Sequence, residues 1–290
     1  MMRRSEMRAL DVEAARLPSG AVVREVERHR NGEVMRLRDA LTEEVPIAFV
    51  YNQRPHAVMM ATPADLEDFA LGFSLSEGIV DSAAQCASIE PIEALAGIEL
   101  HIAIPDDKAA QLEHRARELV GRTGCGLCGA QTLDAAVRHP SPLTAVIAVP
   151  EAGMQRALRD MAQNQAINAF TGAVHAAAWA DLSGHIVMLR EDVGRHNALD
   201  KLIGAMQRAQ IDPGTGFLLV TSRASFEMVV KAATAGIGFM VAISAPTALA
   251  VALACDAGMT LIGLARADGY CVYAHPERVL CDRSTTQPSQ

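Results

Sequence analysis

Apolar and polar positions alternate in short blocks over residues 21–60. "PIAFVYN" (46–52) and "HAVMMAT" (56–62) are apolar runs bounded by turn residues, which predicts strands. The period changes in "TPADLEDFALGFSLSEGI" (62–79). Thr62 is expected as an N-cap, Pro63 as the first helical residue, and Asp65 completes a capping-box-like pattern. Leu66, Phe69, Ala70 and Phe73 share one face, and Gly78 ends the helix. A second helix is expected over 107–120, with Leu112, Ala116, Leu119 and Val120 inward and Gly121 closing it.

Beyond residue 142 the rhythm is different. Near-continuous apolar runs at 143–149, 185–191, 216–222, 238–243 and 259–265 predict strands, with a further one at 270–275. Helical patterns separate them at 151–163, 173–180, 195–209, 224–236 and 246–257. Buried strands alternating with helices predict an α/β fold, with a mostly parallel sheet covered on both faces. The expected organisation is a flexible arm (1–20), an N-terminal α+β domain (21–121), a Gly-rich connector (122–142), an α/β domain (143–283) and a tail (284–290).

The chain has 290 residues, half of them hydrophobic, and a formal net charge of -8. That balance argues against a general nucleic-acid binder, since no excess of cations exists to neutralise phosphates. No apolar run predicts a membrane span. Arg3 and Arg4 are followed by charged residues where an export signal needs an apolar segment. A reducing cytoplasm with free thiols is therefore expected. Of six cysteines, Cys255 reads as a small core residue within "LAVALACDAG". Cys86, Cys271 and Cys281 suggest no role.

Only Cys125 and Cys128, in "RTGCGLCGAQTL" (122–133), sit where chemistry is expected. Structural zinc needs four ligands, and there is one CxxC. A zinc deaminase needs His-x-Glu followed by Pro-Cys-x-x-Cys, whereas Ala176 and Ala177 follow His175 and Gly124 precedes Cys125. A thiol-disulfide exchanger carries CxxC at a helix start after a strand; this motif follows a helix and is embedded in glycines. A sulfur relay needs an exposed, activated thiol on a segment able to reach two partners. Relay fits best, and redox exchange stays open.

Ligands of an α/β sheet bind beyond the carboxyl ends of its strands. Three polar turns follow strands here: "EDVGRHNALDK", "SRASFE" and "SAPTALA". Each opens a helix, and helix N-termini favour anions. Arg195 and Arg223 can add bidentate phosphate contacts, and Ser222, Ser225, Ser244 and Thr247 further donors. Any one of Ser225, Ser244 and Thr247 alone would be read as an N-cap. Three such turns with arginines point to a phosphate-bearing ligand. In the helix opening at Arg195, Leu199, Leu202, Ile203 and Met206 face the core, which leaves His196, Asn197, Asp200 and Lys201 for ligand or solvent. His175 alone would be a packed or capping histidine more often than a ligand.

The segments "TPADLEDFALGFSLSEGI", "GCGLCG", "TGAVHAAA", "EDVGRHNALDKLIG", "SRASFEMVVKAATAGI" and "SAPTALAVALA", in this order, resemble the FdhD family of formate dehydrogenase accessory sulfurtransferases. The resemblance runs from about Glu44 to Tyr273. It implies a C-terminal three-layer domain similar to cytidine deaminase, and a homodimer. It also implies transfer of persulfide sulfur from a cysteine desulfurase to a molybdenum (or tungsten) bis-pterin guanine dinucleotide cofactor that serves formate dehydrogenase. On this sequence it implies Cys125 as the persulfide carrier and Cys128 as a second thiol. Arg223, Ser222 and Ser225 become the foremost contacts to the guanine nucleotide, with His175, Asp192 and His196 as weaker candidates. It places His175 on a helix. Ala173 stands where the family often has a second glycine. Delivery of the cofactor without sulfur transfer, and thiol-disulfide chemistry, are the alternative activities.

Overall fold

The computed structural model describes residues 17–120, 139–144 and 146–281, without the side chains of 115–120. Cys125 and Cys128, and with them most of the expected connector loop, lie outside the described residues, as do most of the N-terminal arm and the tail.

The described residues open with a two-stranded antiparallel ribbon, β1 (Ala21–Arg30) and β2 (Glu33–Thr42). β3 (Val45–Tyr51) and β4 (Arg54–Ala61) follow, then α1 (Leu66–Ser76), β5 (Ser88–Ala94), β6 (Gly97–Ala103) and α2 (Asp106–Val120). These strands make a sheet ordered β4-β3-β6-β5. Its inner face carries Ile47, Phe49, Tyr51, Leu100 and Ile102, which pack on Phe69, Ala70 and Phe73 of α1.

Thr62 does not cap α1. The helix starts later, at Leu66, behind Asp65 with φ 53 and no side-chain cap. Thr62 is instead fully buried and bonded to the distant segment 192–193. A tertiary partner has outbid the local cap.

The second half contains β7 (Val149–Pro150), α3 (Glu151–Gln163), α4 (Ala166–Thr171), β8 (His175–Asp181), β9 (Ile186–Asp192) and α5 (Arg195–Arg208). β10 (Gly216–Val220), α6 (Phe226–Thr234), β11 (Phe239–Ala242), α7 (Ala248–Ala257), β12 (Thr260–Arg266), β13 (Gly269–Ala274) and β14 (Val279–Leu280) complete it. Six strands form one sheet in the order β13-β12-β11-β10-β8-β9. Alternate residues of β8 face opposite layers. Ala177 and Trp179 join a core with α5, α6 and α7. Ala176, Ala178 and Ala180 join a core with Met154, Ala157 and Met161 of α3. The result is the expected α/β/α sandwich.

Four further expectations are corrected. The sheet is mixed: only β10–β11 and β11–β12 pair in parallel, because short hairpins join β8 to β9 and β12 to β13. Residues 173–180 hold a strand, not a helix. Their alanines suit a strand squeezed between two helical layers, and this packing overrides alanine's helical propensity. The expected strand over 143–149 shrinks to Val149–Pro150, paired with β14. Cys255, expected in the core, is exposed because α7 turns only one face inward.

α1 lies between its own sheet and α5, and nearly all its residues are buried. Gly72 of α1 and Gly204 of α5 meet at the crossing, where each Cα abuts the other helix's backbone. This seam carries three charged networks. Asp68 accepts from Arg190 and Arg208. Asp200 binds Lys231 at 2.9 Å and Ser76 at 2.6 Å, and Lys231 also meets Glu77 at 2.8 Å. Lys201 pairs with Asp192 at 2.7 Å, both fully buried. Asn197, Asp200 and Lys201 thus belong to the seam rather than to ligand or solvent, since a second helix covers the face that looked solvated.

Candidate functional site

The carboxyl ends of β9, β10, β11 and β12 and the start of β8 share one edge of the six-stranded sheet. His175 opens β8 directly opposite Asp192 at the end of β9. Thr221, just past β10, donates its N–H to Ala176 O and accepts from Ala176 N. The turns entering α6 and α7 are tied by a bridge between Ala224 and Pro246 and by Thr247 N donating to Ala224 O at 3.0 Å. Leu264 N donates to Ser244 O at 3.2 Å. The polar turns found in the sequence are therefore one cross-linked edge.

Within it the candidates play different parts. Thr247 is an N-cap, its Oγ1 accepting from Ala250 N. Ser222 is buried, and its Oγ donates to Arg223 O. Arg223 is exposed at the edge. Ser244 is half-buried. Ser225 holds the N-cap position of α6 but makes no cap bond. Its Oγ is buried without a hydrogen-bond partner, as is Arg195 Nε at the first turn of α5. Unsatisfied buried donors are rare and call for an explanation; an anion seated on this edge would supply acceptors for both.

His196 Nε2 lies 3.0 Å from a Glu227 carboxylate oxygen, but off the line of a hydrogen bond. Glu227 stands two residues past Ser225, and its first-turn position resembled ordinary helix chemistry, so the sequence did not single it out. Burial holds the His196 imidazole below its ordinary value of 6.5, with Arg195 and Lys231 adding to the effect and Glu227 opposing it. Burial also lowers His175, aided by Arg195 and opposed by Asp192. Both rings are expected to titrate below 6.5 by NMR, and a ring titrating above 6.5 would contradict the packing. Because the unfolded chain binds these protons more readily, each ring withdraws stability as pH falls below 6.5.

Asp192 is fully buried. Its carboxylate accepts from Thr62 N (3.0 Å), Gly194 N (2.8 Å), Asn197 Nδ2 (2.9 Å) and Lys201 Nζ (2.7 Å). Four donors fill a carboxylate's acceptor sites. Similarly, Glu191 is occupied by the backbone N–H groups of Ile167 and Asn168 at the start of α4.

A second feature lies toward the other end of α6. A cavity of about 710 Å³ is lined by Ser76, Glu77 and Gly78, by Val230, Ala233 and Thr234, and by His139, Pro140 and Ser141. The last three follow the cysteine segment closely in the chain. Among the described residues, no group of three or more His, Cys, Asp or Glu could hold a metal ion, and no helix is long and apolar enough to cross a membrane.

Residues 42–280 match the model of the FdhD/NarQ family. The chain belongs to that family. Among its relatives, the sulfur carrier protein FdhD of Xanthomonas euvesicatoria pv. vesicatoria is 55% identical over 260 residues, 90% of this chain and 92% of the relative. Its namesake in Cupriavidus necator is 51% identical over 254 residues, 88% of each chain. A crystal structure from Desulfotalea psychrophila, of a protein assigned as a formate dehydrogenase accessory protein, superposes with a TM-score of 0.70 at 24% identity. It covers 90% of this chain and 99% of its own, and it shows that this family member shares that fold.

Proposed function

We propose that this protein is a sulfur carrier serving formate dehydrogenase, with Cys125 as carrier thiol and Cys128 in support. The observation that carries the reading is family membership over residues 42–280, with relatives named as sulfur carriers and a CxxC at 125–128 within the match. The Cys125 thiolate attacks the terminal sulfur of a desulfurase persulfide. A new S–S bond forms on Cys125, the old one breaks, and the donor cysteine leaves as thiolate. On delivery, an acceptor supplies the electron pair for the new bond to sulfur, and the Cys125 thiolate is regenerated.

The acceptor in this reading is a molybdenum (or tungsten) bis-pterin guanine dinucleotide, handled as substrate. The strand edge suits its diphosphate. Arg223 is exposed there, and the N-termini of α6 and α7 offer backbone N–H groups. Arg195 Nε and Ser225 Oγ are buried without partners. His175 and His196 border the same edge, and protonation on binding would add positive charge.

The test is intact-protein mass spectrometry after incubation with a cysteine desulfurase and cysteine, with Cys125→Ala and Cys128→Ala in parallel. The expected result is one added sulfur, removed by reductant and absent from the variant lacking the carrier thiol. No added sulfur in the wild type, with a competent desulfurase, would overturn the relay and favour cofactor delivery alone.

A further inference from the structure

We propose that Asp192 and Lys201 are positioning residues: by gripping the backbone of Thr62, they set the first turn of α5 and so place Arg195 and His196 at the strand edge. The inference rests on the nucleotide reading of that edge.

α5 has no side-chain cap of its own, since its N-cap is Gly194. Asp192 instead fixes the N-cap residue itself from the preceding strand, accepting the Gly194 N–H. Asn197 closes the turn from the other side, donating to Asp192 and to Met60 O, both at 2.9 Å. Lys201, one turn further on, bridges Asp192 and Thr62 O at 2.8 Å. Thr62 returns two bonds, from its N–H to Asp192 and from Val193 N to its Oγ1. Three chain segments, 60–62, 192–194 and 197–201, are thus locked together. Arg195 and His196 sit between the locked positions 194 and 197. Neither Asp192 nor Lys201 exposes any side-chain surface, so they act through those two residues and touch no ligand.

An apolar pair would fill this seam at no greater cost, because buried ion pairs rarely stabilise more than packed hydrophobes. What the polar set adds is direction: each bond fixes one backbone group relative to another. A donor moved out of line loses its contact, because hydrogen bonds weaken steeply away from linear geometry.

The experiment titrates GDP by calorimetry into the full chain as wild type, Lys201→Met and Asp192→Asn, with Asp68→Asn as control. Asp68 holds Arg208 at the opposite end of α5, about 20 Å from Arg195 at 1.5 Å per residue, and Arg190 of β9, both outside the three locked segments. Urea melts measure the stability lost by each, and NMR follows the His196 ring. Lys201→Met and Asp192→Asn are expected to weaken GDP roughly tenfold or more, the affinity carried by one hydrogen bond to a charged group, and to move the His196 titration. Asp68→Asn is expected to lose stability while leaving both unchanged. Where a variant does not fold, Asn197→Ala replaces it, since it leaves the ion pair intact. Unchanged GDP affinity and an unmoved His196 titration in a folded variant would overturn the proposal. If the wild type binds no GDP, the nucleotide reading fails, and the His196 titration alone decides the positioning role.

Discussion

Gly72→Ala is expected to cost about 3 kcal/mol or more and to lower the melting temperature by about 5 °C or more. A Cβ at residue 72 would overlap the Asp200 carbonyl, and one at residue 204 would overlap the Asp68 carbonyl. Both obstacles are backbone in well-buried helices, so no rotamer change relieves them. Ordinary overpacking costs about 1–3 kcal/mol because side chains can yield. Here the two helices must part, which stretches the Asp200–Lys231–Ser76 and Lys201–Thr62 bonds that cross the seam. Gly269→Ala is the matched control, because its Cβ would meet nothing within 4 Å. Thermal melts followed by circular dichroism give the answer. A Gly72→Ala melt coincident with wild type would mean that the crossing is looser than the structure shows.

Lys231→Met is the second large effect, expected at about 3–5 kcal/mol. It strips the cation from Asp200, which is fully buried with Lys231 Nζ 2.9 Å away. The same nitrogen meets Glu77 and Ser76 and lies 5.3 Å from the Phe73 ring. Removing one partner leaves a charge in low dielectric, whereas removing both removes that penalty. The double variant Asp200→Asn/Lys231→Met is therefore expected to recover most of the loss. Urea unfolding measures all three proteins. A single variant within about 1 kcal/mol of wild type, the range of exposed ion pairs, would show that water reaches this pair.

Much of the architecture was legible along the chain because its signals are local. Apolar runs at 216–222, 238–243 and 259–265 marked β10, β11 and β12, and the helical periods marked α3, α5, α6 and α7 within a few residues. The turns after the strands could be read as anion-ready because helix N-termini carry the same orphan donors wherever they occur. Which of those turns offers a free group could not be read. Thr247 spends its hydroxyl on a cap and Ser225 does not, a difference of rotamer and neighbour.

The sequence by itself determined the alternation of helices and strands from α5 to β13, and the family through motifs that keep their order. Only the tertiary structure decided that His175 begins a strand. Ala176–Ala180 are helix formers until two helical layers press on them from opposite sides. Only the tertiary structure turned Asn197, Asp200 and Lys201 inward, since their partners at Met60, Thr62 and Ser76 lie more than a hundred residues earlier. Local periodicity reports which residues share a face. It cannot report what covers that face, and burial of a charge depends on the cover.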